Sequence, residues 1–282
     1  MSMFVLPIAY TLFVWWFSTG VILYLDGLPR ASFRWSMTGA TVVLAGALAG
    51  LKASSTDATI AGAYCAFTSS VLVWGWIEMS FLMGFITGPW RAPCPPGSRG
   101  WLRVRYALRT ILHHELALAS AALAVFALTR GGANQTGMWT FVILWAMRQS
   151  AKLNVFLGVR NLSEEFLPVH LRYLETFFAR KAMNPLLPVS VAAASAVAAV
   201  LWLRAGAADV NAFDSVMFTL LATLLSLAVI EHLFMVMPLP ATALWTWGLR
   251  SRGPIPRKLD IVAADLAAIK EPLRAAPRRL AE

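Results

Sequence analysis

Charge is scarce in this chain. Only 13% of its 282 residues are Asp, Glu, Lys or Arg, about half of the roughly 25% typical of soluble domains. Apolar residues make up 59%, and the mean hydropathy is +0.65. That balance excludes an ordinary cytosolic enzyme and describes an integral membrane protein. Long polar tracts, the mark of disorder, are also missing. There are two cysteines: Cys65 lies in an apolar stretch and Cys94 in a basic loop, with neither disulfide logic nor metal-ligand spacing. No P-loop and no Gly-x-Ser-x-Gly occurs, and the last apolar stretch has no lysine for a retinal Schiff base. No internal repeat of the kind many transporters carry is visible. The N-terminus has no positive region and no small-residue cleavage site, and reads as a retained first span.

Crossing about 30 Å of hydrocarbon takes roughly 20 apolar residues. Seven stretches qualify: Met3–Leu25, Ser36–Leu51, Ala58–Thr87, Ala107–Leu128, Gln135–Leu157, Pro185–Leu203 and Asp214–Met237. The second is short, and the seventh ends at Pro238 and Pro240, which interrupt a helix. The fold class expected is all-α, a polytopic transmembrane bundle of about seven spans.

Net charge is +10, but its placement matters more than its sum. Eighteen Lys and Arg follow odd-numbered spans, among them Arg30, Arg34, Arg91, Arg99, Arg103, Arg105 and eight from Arg250 onward. Three follow even-numbered spans: Lys52, Arg130 and Arg204. The positive-inside rule then puts the N-terminus outside and the C-terminus in the cytoplasm. In that setting the basic charge addresses lipid, and no nucleic-acid partner is expected. Trp35, Trp90, Trp101, Trp245 and Trp247 fall at the cytoplasmic interface, Trp139 and Trp202 at the other. Residues 1–250 form the bundle, with an amphipathic cytoplasmic helix near 168–180, and 251–282 form a basic cytoplasmic tail. Leu259, Val262, Leu266 and Ile269 mark either a short amphipathic helix in that tail or a chance stripe in a solvated one.

Ionisable side chains inside spans cost roughly 2.5–3.5 kcal/mol each at mid-helix, so they mark pairing or function. Measured along each span at ~1.5 Å per residue, Glu78, Glu115, Lys152 and Glu231 fall in one layer, with Arg148 slightly deeper. Three histidines join them: His113, His114 and His232. Arg148 and Lys152, four residues apart on one face, can neutralise the carboxylates in an ion-pair lattice. The histidines can instead serve as ligands of a metal or a tetrapyrrole, although no His-x-x-x-His pair exists. A proton or substrate path is the third reading. No complete catalytic constellation is present, which favours a non-enzymatic role.

The most distinctive stretch is Arg148–Ser190. The chain leaves span five at Gly158 and Arg160 and passes a polar corner from Asn161 to Glu165. Pro168 then opens a helix with Leu167, Leu171, Leu174 and Phe178 on one face. The segment reads as a packed connector or as a partner platform built on Arg160, Asn161, Glu164, Glu165, His170 and Arg172. Its KLNVFLGVRNLSEEFLP run, HLRYL helix and NPLLPVS re-entry (Lys152–Pro168, His170–Leu174, Asn184–Ser190) resemble the photosynthetic complex assembly proteins of the PuhE type. The His113-His114-Glu115 run and the third span around Trp74–Met79 add to the resemblance, which reaches about Gly253. It implies an inner-membrane factor that supports assembly of the photosynthetic reaction centre and core antenna, or modulates bacteriochlorophyll supply. Partners would be reaction-centre or antenna subunits or other assembly factors. The cofactor stays open, with bacteriochlorophyll or another tetrapyrrole as the class implied. The competing reading is a membrane-bound enzyme, enzyme subunit or carrier handling a tetrapyrrole or quinone.

Overall fold

A computed structural model describes residues 2–237 and 241–252; the tail stripe from Leu259 to Ile269 lies outside them. Seven long helices follow one another: α1 (Ser2–Asp26), α2 (Phe33–Ser54), α3 (Ile60–Leu82), α4 (Gly100–Thr129), α5 (Thr136–Leu157), α6 (Leu186–Ala205) and α7 (Ala212–Phe234). A short α8 (Thr246–Leu249) folds back on α1. No strand occurs among the described residues; Val159 and Arg180 form an isolated parallel bridge. Six of the long helices are long and apolar enough to cross a membrane, which makes this a multi-pass membrane protein. The seventh, α5, has the length but is too polar to qualify, since Arg148, Gln149, Lys152 and Asn154 crowd its second half. It packs against α3, α4, α6 and α7, where Arg148, Gln149 and Lys152 meet carboxylates and Asn154 Nδ2 donates to the Ser190 hydroxyl.

Local chemistry sets the helix ends. Thr59 caps α3 by accepting Gly62 N–H, and Asn211 caps α7 by accepting Asp214 N–H. Asn184 Oδ1 accepts both Leu186 and Leu187 N–H at the start of α6, while its Nδ2 donates to Asn154 O and Gly158 O. One side chain thus closes α5 and opens α6.

Several boundaries differ from the sequence expectation; α7, for one, ends at Phe234 rather than Met237. The second helix is not short: at 22 residues it begins at Phe33. The third ends at Leu82 rather than Thr87, because Gly84 takes φ +82 and turns the chain away. The fourth gains seven residues at its start. Residues 87–90 then lie against α4: Trp90 N–H donates to Arg109 O, and His114 N–H donates to Thr87 O. Gly88 faces the α4 backbone so closely that no Cβ fits. The connector helix is also of another kind, a 3₁₀ helix over Val169–Phe177 with Leu171, Leu174 and Phe177 buried. Three residues per turn stacks positions i, i+3 and i+6 on one side, which is the spacing of these three.

The two ends of the bundle differ. Loops after α2, α4 and α6 are brief and tightly bonded, with Asn134 donating to Ser55 O and Asp57 O. Beneath them lie two apolar clusters, one of Leu51, Val73, Ile77, Leu118, Val125 and Phe141, the other of Phe67, Phe213, Val216, Leu220 and Leu224. Loops after α1, α3, α5 and α7 gather at the opposite, basic end, and those after α3 and α5 are much larger.

Candidate functional site

The basic half of the bundle is hollow. A chamber of about 820 Å³ lies among α1, α3, α4, α5 and α7, and the 158–178 connector contributes Asn161, Phe166, Leu174 and Phe177 to its walls. Most of the wall is apolar or aromatic, including Trp74, Phe81, Phe156 and Phe166. Its size is in the upper part of the roughly 300–1,000 Å³ usual for small-molecule pockets. Leu108, Leu153 and Leu157, which border it, are exposed.

All five charged residues of the sequence-derived layer reach this one chamber. Glu78 on α3 is buried and accepts from Arg148 Nη2 on α5 at 2.8 Å. Glu115 on α4 accepts from Lys152 Nζ at 2.6 Å and from Gln149 Nε2 at 2.7 Å. Arg148, Gln149 and Lys152 thus form one face of α5 that satisfies carboxylates on two neighbouring helices. Glu231, in the last turn of α7, is different: Trp15 Nε1 on α1 donates to it at 3.0 Å, and no cation is paired with it among the described residues. Glu231 is exposed, and the space it borders is the chamber.

The three histidines do not converge. His113 is exposed on α4 and does not border the chamber. His114 is fully buried, 4.5 Å from Phe81 ring to ring and 3.7 Å from Glu78 Oε1, with neither ring nitrogen hydrogen-bonded. His232 borders the chamber with both nitrogens engaged: Nδ1 donates to Ala228 O, so Nε2 of the neutral ring accepts the Ser150 hydroxyl, each at 2.9 Å. Among the described residues, no group of three or more His, Cys, Asp and Glu is placed to hold a metal ion.

The polar residues of the connector separate into two sets. Asn161 is structural here: its N–H and Nδ2 donate to Met235 O, Phe234 O and Met237 O, closing the C-terminal end of α7. Glu164 accepts both hydrogen bonds from Arg180 Nη2. His170 sits beside Phe33 and Gly84, and burial, then the charge of Arg30, holds its pKa below the ordinary histidine value. Arg160, Glu165 and Arg172 remain exposed.

Residues outside the sequence-derived set complete the architecture. Arg103 lies 4.1 Å over the Phe156 ring and donates to Phe156 O and Phe177 O, tying α4 to α5 and the connector. Arg252 pairs with buried Asp26 at 2.6 Å and donates to Glu165 O and Phe166 O, joining the end of α1 to the connector. Trp245, expected at the lipid interface, is only 3% exposed; it packs 5.0 Å from Trp15 and donates to Trp16 O. The signal for this aromatic corner was available: Trp15 and Trp16 in span one, with Trp245 and Trp247 near the far end of the chain, are more indoles than an interfacial belt needs.

Fold and site therefore define a multi-pass helical membrane protein with a largely apolar chamber lined on one side by charge. Residues 1–255 match the family described as "Protein of unknown function (DUF3623)", and the chain belongs to that family. It is 41% identical over 245 residues to an "Uncharacterized 30.4 kDa protein in puhA 5'region" of Rhodobacter capsulatus, covering 86% of this chain and 89% of that protein. No solved structure matches.

Proposed function

We propose that this protein is an inner-membrane assembly factor for the photosynthetic reaction centre and its core antenna, or a modulator of the bacteriochlorophyll that supplies them. The observation that carries this reading is the Rhodobacter capsulatus relative, whose name places it in the 5' region of puhA, a reaction-centre gene. In this reading the N-terminus is outside and the basic end faces the cytoplasm, in keeping with its excess of Lys and Arg. Arg160, Glu165 and Arg172, exposed on the connector, are then available to subunits or other assembly factors. Deleting the gene in a phototrophic host tests the reading: reaction-centre and core-antenna absorption is expected to fall relative to total membrane protein. Unchanged absorption bands and unchanged phototrophic growth overturn it.

The chamber favours a second reading, a protein that handles a tetrapyrrole or a quinone. Its volume and aromatic lining suit a flat apolar body, which Trp74, Phe156 and Phe166 would pack against. Because His232 has both nitrogens engaged and His113 lies elsewhere, this reading does not require a histidine ligand. A stoichiometric pigment or quinone spectrum after gentle purification supports it, and a protein that retains neither pigment nor extractable quinone removes it.

A further inference from the structure

The chamber wall carries more negative than positive charge. Glu78 is matched by Arg148 and Glu115 by Lys152, whereas Glu231 receives only the Trp15 N–H among the described residues. Its place in the last turn of α7 adds to the imbalance, since carbonyl dipoles make a helix C-terminus partially negative. The surroundings are aromatic: Trp15 meets Trp245 at 71°, and Phe166 meets Trp245 at 80°, with centroids 5.0 and 5.8 Å apart. A carboxylate beside indole rings in an apolar chamber is the setting that attracts an organic cation, through charge and through the negative faces of the rings. An anion would meet Glu231 with only Arg148, already paired with Glu78, to offset it, and a neutral apolar ligand would leave the carboxylate unpaired.

We infer that the chamber binds an amphipathic molecule with an ammonium head, the head held at Glu231 beside Trp15 and Trp245 and the apolar body lying against the aromatic wall. The same chemistry can come from an amine-bearing phospholipid or from a free alkylamine-like metabolite. The inference concerns only the charge class of the occupant and does not depend on the photosynthetic role.

The test uses the full-length protein in a non-ionic detergent, with tryptophan fluorescence read during titration with dodecylammonium, dodecanol and dodecanoate. Dodecylammonium is expected to bind at least about tenfold more tightly than the other two, a difference of ~1.4 kcal/mol. Glu231→Gln keeps an oxygen for Trp15 and is expected to erase that preference. Equal binding of the ammonium and the alcohol overturns the inference, as does an unchanged preference in E231Q. Preference for dodecanoate also overturns it and makes Arg148, whose side chain is 39% exposed with Nε unpartnered, the anchor instead. The wild-type comparison stands without any variant, so poor folding of E231Q leaves the inference testable. Native mass spectrometry separates the sources: retained phosphatidylethanolamine in preference to phosphatidylglycerol identifies a lipid, and amine selectivity without retained lipid identifies a free amphiphile. A pigment spectrum without ammonium selectivity leaves the second functional reading in place and removes this one.

Discussion

The closed half and the hollow half of this bundle are built from the same helices, yet they solve opposite problems. In the closed half, α2, α3, α4, α5 and α7 meet through fully buried Leu51, Leu118, Val125, Phe141 and Leu220. In the hollow half, α3, α4, α5 and α7 stand apart far enough to leave a chamber, with ion pairs and the connector bridging the gap. The difference teaches that the closed half supplies the rigidity and the other half spends it. A cavity costs dispersion contacts along its whole lining, and a bundle hollow at both ends would lose its defined spacing. Polar bridges at fixed distances keep the walls apart where packing cannot.

The largest expected effect belongs to the closed half. Phe141→Ala leaves a void where nothing can collapse and is expected to cost about 3–5 kcal/mol, whereas Leu108→Ala on the chamber wall borders space already and should cost under ~1 kcal/mol. Thermal unfolding of both variants in the same detergent measures the contrast, and equal losses would remove the distinction between the halves.

Next comes the bridge itself. Arg148→Ala strands buried Glu78 and should cost about 2–3 kcal/mol, below the 3–5 typical of a broken buried pair, because the Arg148 side chain is itself partly exposed. Adding Glu78→Gln should recover most of that loss, since the stranded charge is gone. A double variant as unstable as the single would mean that Arg148 acts through packing and not through charge.

The smallest effect lies at the connector. The native pKa of His170 is depressed, so the unfolded chain binds more protons around and below the ordinary histidine range. Stability is therefore expected to be complete above that range and to fall as pH drops through it. His170→Gln should flatten this slope while leaving the melting temperature at higher pH nearly unchanged; an identical pH profile in the variant would assign the slope to another group.

Much of the architecture could be read in the chain. Helices α5 and α6 begin and end within two residues of the apolar stretches that forecast them, because Gly158, Pro185 and Gly206 break the pattern sharply. The end of α3 was hidden because Met83 to Thr87 continues the apolar run: Met83 is buried, but as loop. Gly84 was the overlooked signal. The 3₁₀ connector was equally legible in principle, since Pro168, Leu171, Leu174 and Phe177 recur every third residue.

The candidate site divides in the same way. Counting residues from span ends brought Glu78, Glu115, Arg148, Lys152 and Glu231 to one level, since helical rise is fixed at about 1.5 Å per residue. Composition alone determined the membrane and the helices, because a bilayer leaves a spanning backbone few ways to satisfy its hydrogen bonds. Level along a helix, however, says nothing about azimuth or about which helices are neighbours. Only the tertiary packing decided that Arg148 meets Glu78 and Lys152 meets Glu115, that His113 faces outward while His114 is enclosed, and that Trp15 reaches Glu231 from 216 residues away. Pairing inside a membrane is chosen by which helices pack together, and that depends on side chains far apart in the chain.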